Sequence, residues 1–127
     1  MNYIDMHCDT LAKAVEQKKE TAKKLEHTMV DAERLHRCGT KAQFFAMFLQ
    51  QKKEENWSDP GHDPDGCRSE KRKISLWYNG AEIEKQMQDM YAVYQNTMEN
   101  CADIIAPACT YEDLQCNWRQ GKVSAFL

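Results

Sequence analysis

His7 and Asp9, two residue types that bind metal ions, lie close together near the start of the chain. Imidazole nitrogen and carboxylate oxygen are both suitable zinc ligands. Residues 3–7 predict a short strand, and side chains two positions apart on a strand face the same side. The pair could therefore hold one metal ion at the carboxyl end of the strand. On spacing alone, a polar pair at a strand end explains the pattern as well.

The other candidate groups are weaker. Cys8 should face away from His7 and Asp9 by strand alternation, so we do not expect it to act as a nucleophile. His27 and His36 fall in short helical or turn segments, where surface or packing roles are expected. A calcium-binding loop that begins at Asp63 is excluded because Arg68 occupies its sixth position, which needs glycine. We therefore expect no catalytic residue and no organic-cofactor site within this chain, and metal ligands at His7 and Asp9 alone.

The length and composition of the chain predict one folded domain. The 127 residues are 42% hydrophobic and 29% charged, with a net charge of -3. Short Lys and Arg runs alternate with Glu, so no face is basic enough to predict nucleic-acid binding. No window is apolar enough for a membrane helix, and residues 1–9 do not form a signal peptide. The six cysteines form no C-x-x-C pair, which favours free thiols and a cytoplasmic location.

The local patterns alternate between strand and helix. Capping signals are present at Asp31 and Thr110, and Gly39 and Gly121 stand where helices should end. Such alternation is typical of an α/β fold with parallel strands and right-handed crossovers. The predicted strands are 3–7, 41–50, 104–106 and 123–127; the predicted helices are 11–24, 30–37, 79–100 and 110–120; residues 51–76 are predicted to form a long exposed loop.

The longest predicted helix carries an apolar stripe that we interpret as a core-facing surface. Its positions recur at helical spacing, and core packing is a simpler explanation of the methionines than an adaptable binding groove. The stripe consists of Ile83, Met87, Met90, Tyr91, Tyr94 and Met98.

Three blocks of the chain resemble the membrane (renal) dipeptidase family, a family of zinc-dependent peptidases. Residues 3–11 are similar to its I-D-x-H-x-D-x-L segment. Residues 30–48 resemble D-x-x-R-(L/M)-x-x-G followed by G-x-Q-F-(W/F)-S-V-(Y/F), and residues 119–127 resemble its R-x-G-K-(I/V) strand. Lys41 and Ala46 depart from the pattern, and neither aligns with a metal ligand. The blocks keep their order and span the chain from end to end.

The resemblance implies the N-terminal part of a (β/α)8 barrel that binds two zinc ions and hydrolyses dipeptides, in some members as a homodimer. His7 and Asp9 match two ligands of one zinc ion. The Glu that bridges both ions, and two later His ligands, would follow Leu127. We therefore expect a truncated barrel that is inactive by itself. Two alternatives stay open: a related metal-dependent amide hydrolase with another substrate, and a non-catalytic fragment.

Overall fold

A computed structural model describes residues 3–49 and 80–127 of the chain. The predicted loop at 51–76 lies outside these described residues. The elements are β1 (Tyr3–Cys8), α1 (Thr10–Glu16), α2 (Ala32–Arg37), β2 (Thr40–Phe45), α3 (Gly80–Asn100), β3 (Ile105–Pro107), α4 (Tyr111–Arg119) and β4 (Val123–Phe126).

The four strands form one sheet in the order β1-β2-β4-β3, and every neighbouring pair is parallel. This arrangement confirms the predicted α/β class with parallel strands. β3 lies outside β4, so the strand order in this sheet is not consecutive. Closure into a barrel stays a prediction.

Helices cover both faces of the sheet. Val123 and Ala125 point into the hydrophobic core, which they share with residues of α1, α2 and α3. Ser124, between them, faces the other way and accepts a hydrogen bond from Asn117 of α4 at 3.3 Å. α3 is tied to the central strands by Tyr94, whose hydroxyl donates to the Ala125 carbonyl at 2.9 Å. β4 is thus held by helices on both faces of the sheet.

α1 is much shorter than the predicted helix 11–24. It ends at Glu16, and Lys18 adopts a left-handed conformation with φ 53°. The amide groups of Lys18 and Lys19 donate to the last turn of α1, which satisfies its free carbonyl groups. Residues 17–31 then fold back and bury Ala22 and Leu25, each 1% exposed. Burial of these side chains outweighs the helical propensity of the segment.

The long helix is present as α3, but its buried face is rotated from the predicted stripe. Met90, Val93, Tyr94 and Thr97 are buried. Met87 and Tyr91 are 41% and 46% exposed, so their assignment to the core was wrong. Thr97 can be buried because its hydroxyl has a hydrogen-bond partner: it accepts the Ala22 amide at 2.8 Å. The residue type alone does not reveal this contact.

The capping predictions are confirmed. Asp31 caps α2, and Thr110 and Asp113 form a capping box at α4. Gly39 and Gly121 have φ values of 75° and 73°, the left-handed conformation that follows a helix end. β2 covers Thr40–Phe45 rather than 41–50. Among the described residues, no helix is both long and apolar enough to cross a membrane.

Candidate metal site

His7 and Asp9 lie at the carboxyl end of β1, which is at the edge of the sheet formed by the described strands. Cys8 pairs with Phe45 of β2 and points into the core, where it is 7% exposed. The residues on either side of Cys8 therefore point away from the core. An irregularity in the β1–β2 pairing between Asp5 and Cys8 adds a residue to β1, and the Asp5 carboxylate accepts the His7 amide at 3.2 Å. This contact shapes the backbone directly before the pair.

The two side chains meet on one side of the strand end. His7 Nε2 is 3.2 Å from Asp9 Oδ1, and the side chains are 64% and 47% exposed. The two side chains thus lie on the same side of the strand end, as their spacing predicts, while the metal role stays a prediction. Two ligand atoms that bind the same tetrahedral zinc ion, each about 2.1 Å from the metal, lie about 3.4 Å from each other. The observed separation fits such a pair, and it also fits a direct hydrogen bond.

The thiol between the two side chains is not prepared for reaction. Burial raises the pKa of Cys8, and the nearby Asp5 and Asp9 carboxylates raise that pKa further, while hydrogen bonding with Thr10 opposes the change. A thiol needs a lowered pKa and access to solvent to act as a nucleophile at neutral pH. Cys8 has neither, and it packs in the core instead.

The pair forms one side of an open depression of about 320 Å³. The opposite side comes from the segment between α1 and α2, which the sequence did not connect with His7. Its lining residues are His7, Cys8, Asp9, Thr10, Lys13, His27, Thr28, Met29 and Val30. His27, which was expected to have a surface or packing role, is exposed and lines the depression beside the candidate site. No local pattern predicts this, because the backfolding of residues 17–31 brings it there.

An ion pair with a buried carboxylate holds the second wall in place. Asp31 is 0% exposed and accepts the amide groups of Leu25 and Arg34 at 3.1 and 2.8 Å. The Arg34 guanidinium lies 3.1 Å from the same carboxylate and also donates to the carbonyl groups of Leu25 and Thr28. Arg34 thus fixes the chain on both sides of His27.

Two further contacts attach the wall to α1. The Gln17 side chain hydrogen-bonds both the amide and the carbonyl of Glu26, the residue before His27. The Thr10 hydroxyl donates to the Val30 carbonyl at 3.3 Å. The segment that carries His27 is therefore anchored near its start and its end, and its backbone is held on both sides of His27.

The donor set is incomplete in this part of the chain. Across residues 3–49 and 80–127, no three His, Cys, Asp or Glu side chains are grouped to hold a metal ion. His36 is elsewhere, with its Nε2 3.2 Å from the Gly121 carbonyl. His62 and its neighbouring acids lie outside the described residues. His7 and Asp9 can therefore supply two of the ligands that a zinc ion needs.

Comparisons with known proteins give no family assignment. A search against protein-family models found no match, and neither did a search of the curated proteins.

Proposed function

We propose that this chain belongs to a metal-dependent hydrolase and supplies the first ligands of its metal site, His7 and Asp9. One observation carries the proposal: His7 Nε2 and Asp9 Oδ1 stand 3.2 Å apart at the carboxyl end of a parallel strand. Active sites of α/β proteins form at that end of the strands. Both side chains are accessible to a metal ion from solvent. When bound, zinc supplies a nucleophile at neutral pH and polarises a carbonyl group.

The particular activity that we propose is the hydrolysis of dipeptides, as in membrane dipeptidases. The three matching blocks support this proposal because they bring His7 and Asp9 into the family's first ligand motif. They also include Asp31 and Arg34, which hold the second wall of the depression in place. β1, β2 and β4 lie side by side in the sheet, as consecutive barrel strands would, and the three-residue β3 pairs with the other edge of β4.

Each protein group has a distinct task in this proposal. His7 and Asp9 bind the metal ion and fix its position at the strand end. Cys8 anchors that strand end in the core, where it is 7% exposed. A catalytic zinc ion normally has three protein ligands, whereas this pair provides two. We therefore expect no dipeptide turnover from the 127 residues alone.

The test compares dipeptide hydrolysis by two purified proteins in excess zinc. One is the 127-residue chain, and the other continues beyond Leu127 in the same reading frame. We expect turnover from the longer protein alone. His7→Ala should lower the rate of that protein by more than about 100-fold, because removing a metal ligand should reduce activity at least as much as removing a residue that only supports a ligand. His36→Ala is the matched control and should leave the rate unchanged.

Three results would contradict the proposal or favour an alternative. Turnover that is equal in His7→Ala and the unchanged protein would remove the metal role of His7. Hydrolysis of other amides but not of dipeptides would favour a related hydrolase. A reading frame that stops after Leu127 and yields no active form would favour a non-catalytic chain.

A further inference from the structure

The pairing between β1 and β2 changes register directly before the candidate metal ligands. Asp5 lies opposite Gln43, and Cys8 lies opposite Phe45, so β1 uses one residue more than β2 between these two pairs. An extra residue of this kind is a β-bulge, and bulges beside functional sites re-aim side chains. The pairing is also irregular at the start of β1, but the pairs that fix the strand end follow that point.

The bulge decides which side chains at the strand end face the core. Residues that lie opposite each other in a sheet point to the same face, and Phe45 is a core residue that is 5% exposed. If the register before the bulge continued, His7 would lie opposite Phe45 and its imidazole would face the core. The extra residue brings Cys8 to that position instead. His7 and Asp9, on either side of Cys8, therefore face away from the core.

Asp5 holds the bulged backbone in place. Its carboxylate accepts the amide of His7, two positions further along the chain, at 3.2 Å. This contact has the pattern of an Asx-turn, in which an Asp side chain replaces a backbone acceptor and competes with regular strand pairing. A bulge leaves backbone groups without partners in the ladder, and the Asp5 carboxylate supplies an acceptor in that stretch. The contact thus favours the bulge over a regular strand.

We propose that Asp5 is a positioning residue of the metal site, which holds the bulge that turns His7 and Asp9 away from the core. This inference rests on the proposed metal site. Asp5 acts through the position of its acceptor oxygen rather than through its charge, because its contact is with the backbone in front of the pair. A side chain that keeps an oxygen at this position should therefore keep the site.

The test measures zinc affinity by calorimetry at neutral pH for Asp5→Asn, Asp5→Glu and Asp5→Ala. Asn keeps an acceptor oxygen at the same distance from the backbone but loses the charge. Glu keeps the charge, but its additional methylene group moves the carboxylate away from the His7 amide. Asp103→Ala, which removes an exposed acid between α3 and β3, is the control.

A second measurement follows the register itself without zinc. Iodoacetamide labels Cys8 in the metal-free proteins, and peptide mass spectrometry gives the rate. Loss of the bulge would bring His7 to the core position and Cys8 to the outer face, so the labelling rate reports the population of the shifted register.

We expect Asp5→Ala and Asp5→Glu to bind zinc about 3- to 10-fold more weakly than the unchanged protein, as loss of one hydrogen bond predicts. Cys8 should be labelled faster in these two variants, because the register that exposes it becomes more populated. Asp5→Asn and Asp103→Ala should keep both values within about 2-fold.

Equal zinc affinity in Asp5→Ala and the unchanged protein would overturn the inference. The reverse order, with affinity kept in Asp5→Glu and lost in Asp5→Asn, would also overturn it, because the charge of Asp5 would then attract the ion. Unchanged labelling of Cys8 in Asp5→Ala would overturn it as well, since the register would not depend on Asp5. If His7→Ala binds zinc as well as the unchanged protein does, the proposed metal site fails, and the labelling of Cys8 distinguishes that failure from loss of the bulge.

Discussion

At the scale of single residues, strand alternation separates reactive side chains from packing side chains. Cys8 faces the core, and its two neighbours face solvent and meet at 3.2 Å. The sequence predicted this division because alternation is a local property of the backbone. It could not predict His27 as a member of the site. Nineteen positions separate His27 from Cys8 in the sequence, and only the folding of residues 17–31 joins them.

The first prediction concerns the reactivity of Cys8. At pH 8, iodoacetamide should modify Cys8 at least about 10-fold more slowly than the exposed Cys38, because burial and a raised pKa both reduce the accessible thiolate. Peptide mass spectrometry over time measures the two rates. In urea the rates should become equal. Equal rates in the folded protein would show that Cys8 is accessible and would weaken the description of the strand end.

The raised pKa also has a consequence for stability. The thiolate of Cys8 forms more readily in the unfolded chain, whose pKa is near the ordinary value of 9.0. Stability from this group is therefore complete below pH 9 and is lost as the pH rises through the higher pKa of the folded state. Cys101 is buried as well, and burial raises its pKa in the same direction.

At the scale of elements, the sequence predicted the helix ends that depend on contacts between neighbouring residues. Asp31 and Thr110 cap their helices through hydrogen bonds within three residues, and Gly121 follows the end of α4. The sequence did not predict the helix end that depends on contacts between residues far apart in the chain. The end of α1 depends on the burial of Leu25 and on the contact between Ala22 and Thr97, which are 75 positions apart. Neither contact has a signal in the local sequence.

The second prediction concerns the ion pair that holds the wall of the depression. Asp31→Ala should lower the free energy of unfolding by about 2–3 kcal/mol, because it leaves buried amide groups and the Arg34 guanidinium without their acceptor. Urea denaturation measures the change. Arg37→Ala, an exposed position on the same helix, is the control and should stay within about 0.5 kcal/mol. Similar values for both variants would refute a structural role for the pair.

At the scale of the whole molecule, the candidate site lies at the rim of the sheet. Among the described strands, β1 has β2 as its sole neighbour, and its Ile4 and Met6 are 54% and 68% exposed. His7 and Asp9 follow these residues at the strand end and are accessible from solvent. A metal ion can therefore reach the pair without any rearrangement of the core.

The central claim is that His7 and Asp9 bind one metal ion together, and a double-mutant cycle of zinc affinity tests it most directly. Metal-free protein is titrated with zinc at neutral pH in four forms: unchanged, His7→Ala, Asp9→Ala and the double variant. We predict one His7-dependent zinc ion per chain and a loss of about 10-fold or more in each single variant. The double variant should lose less than the product of the two single effects, because both ligands serve the same ion. Zinc binding of equal affinity in all four forms would contradict the claim.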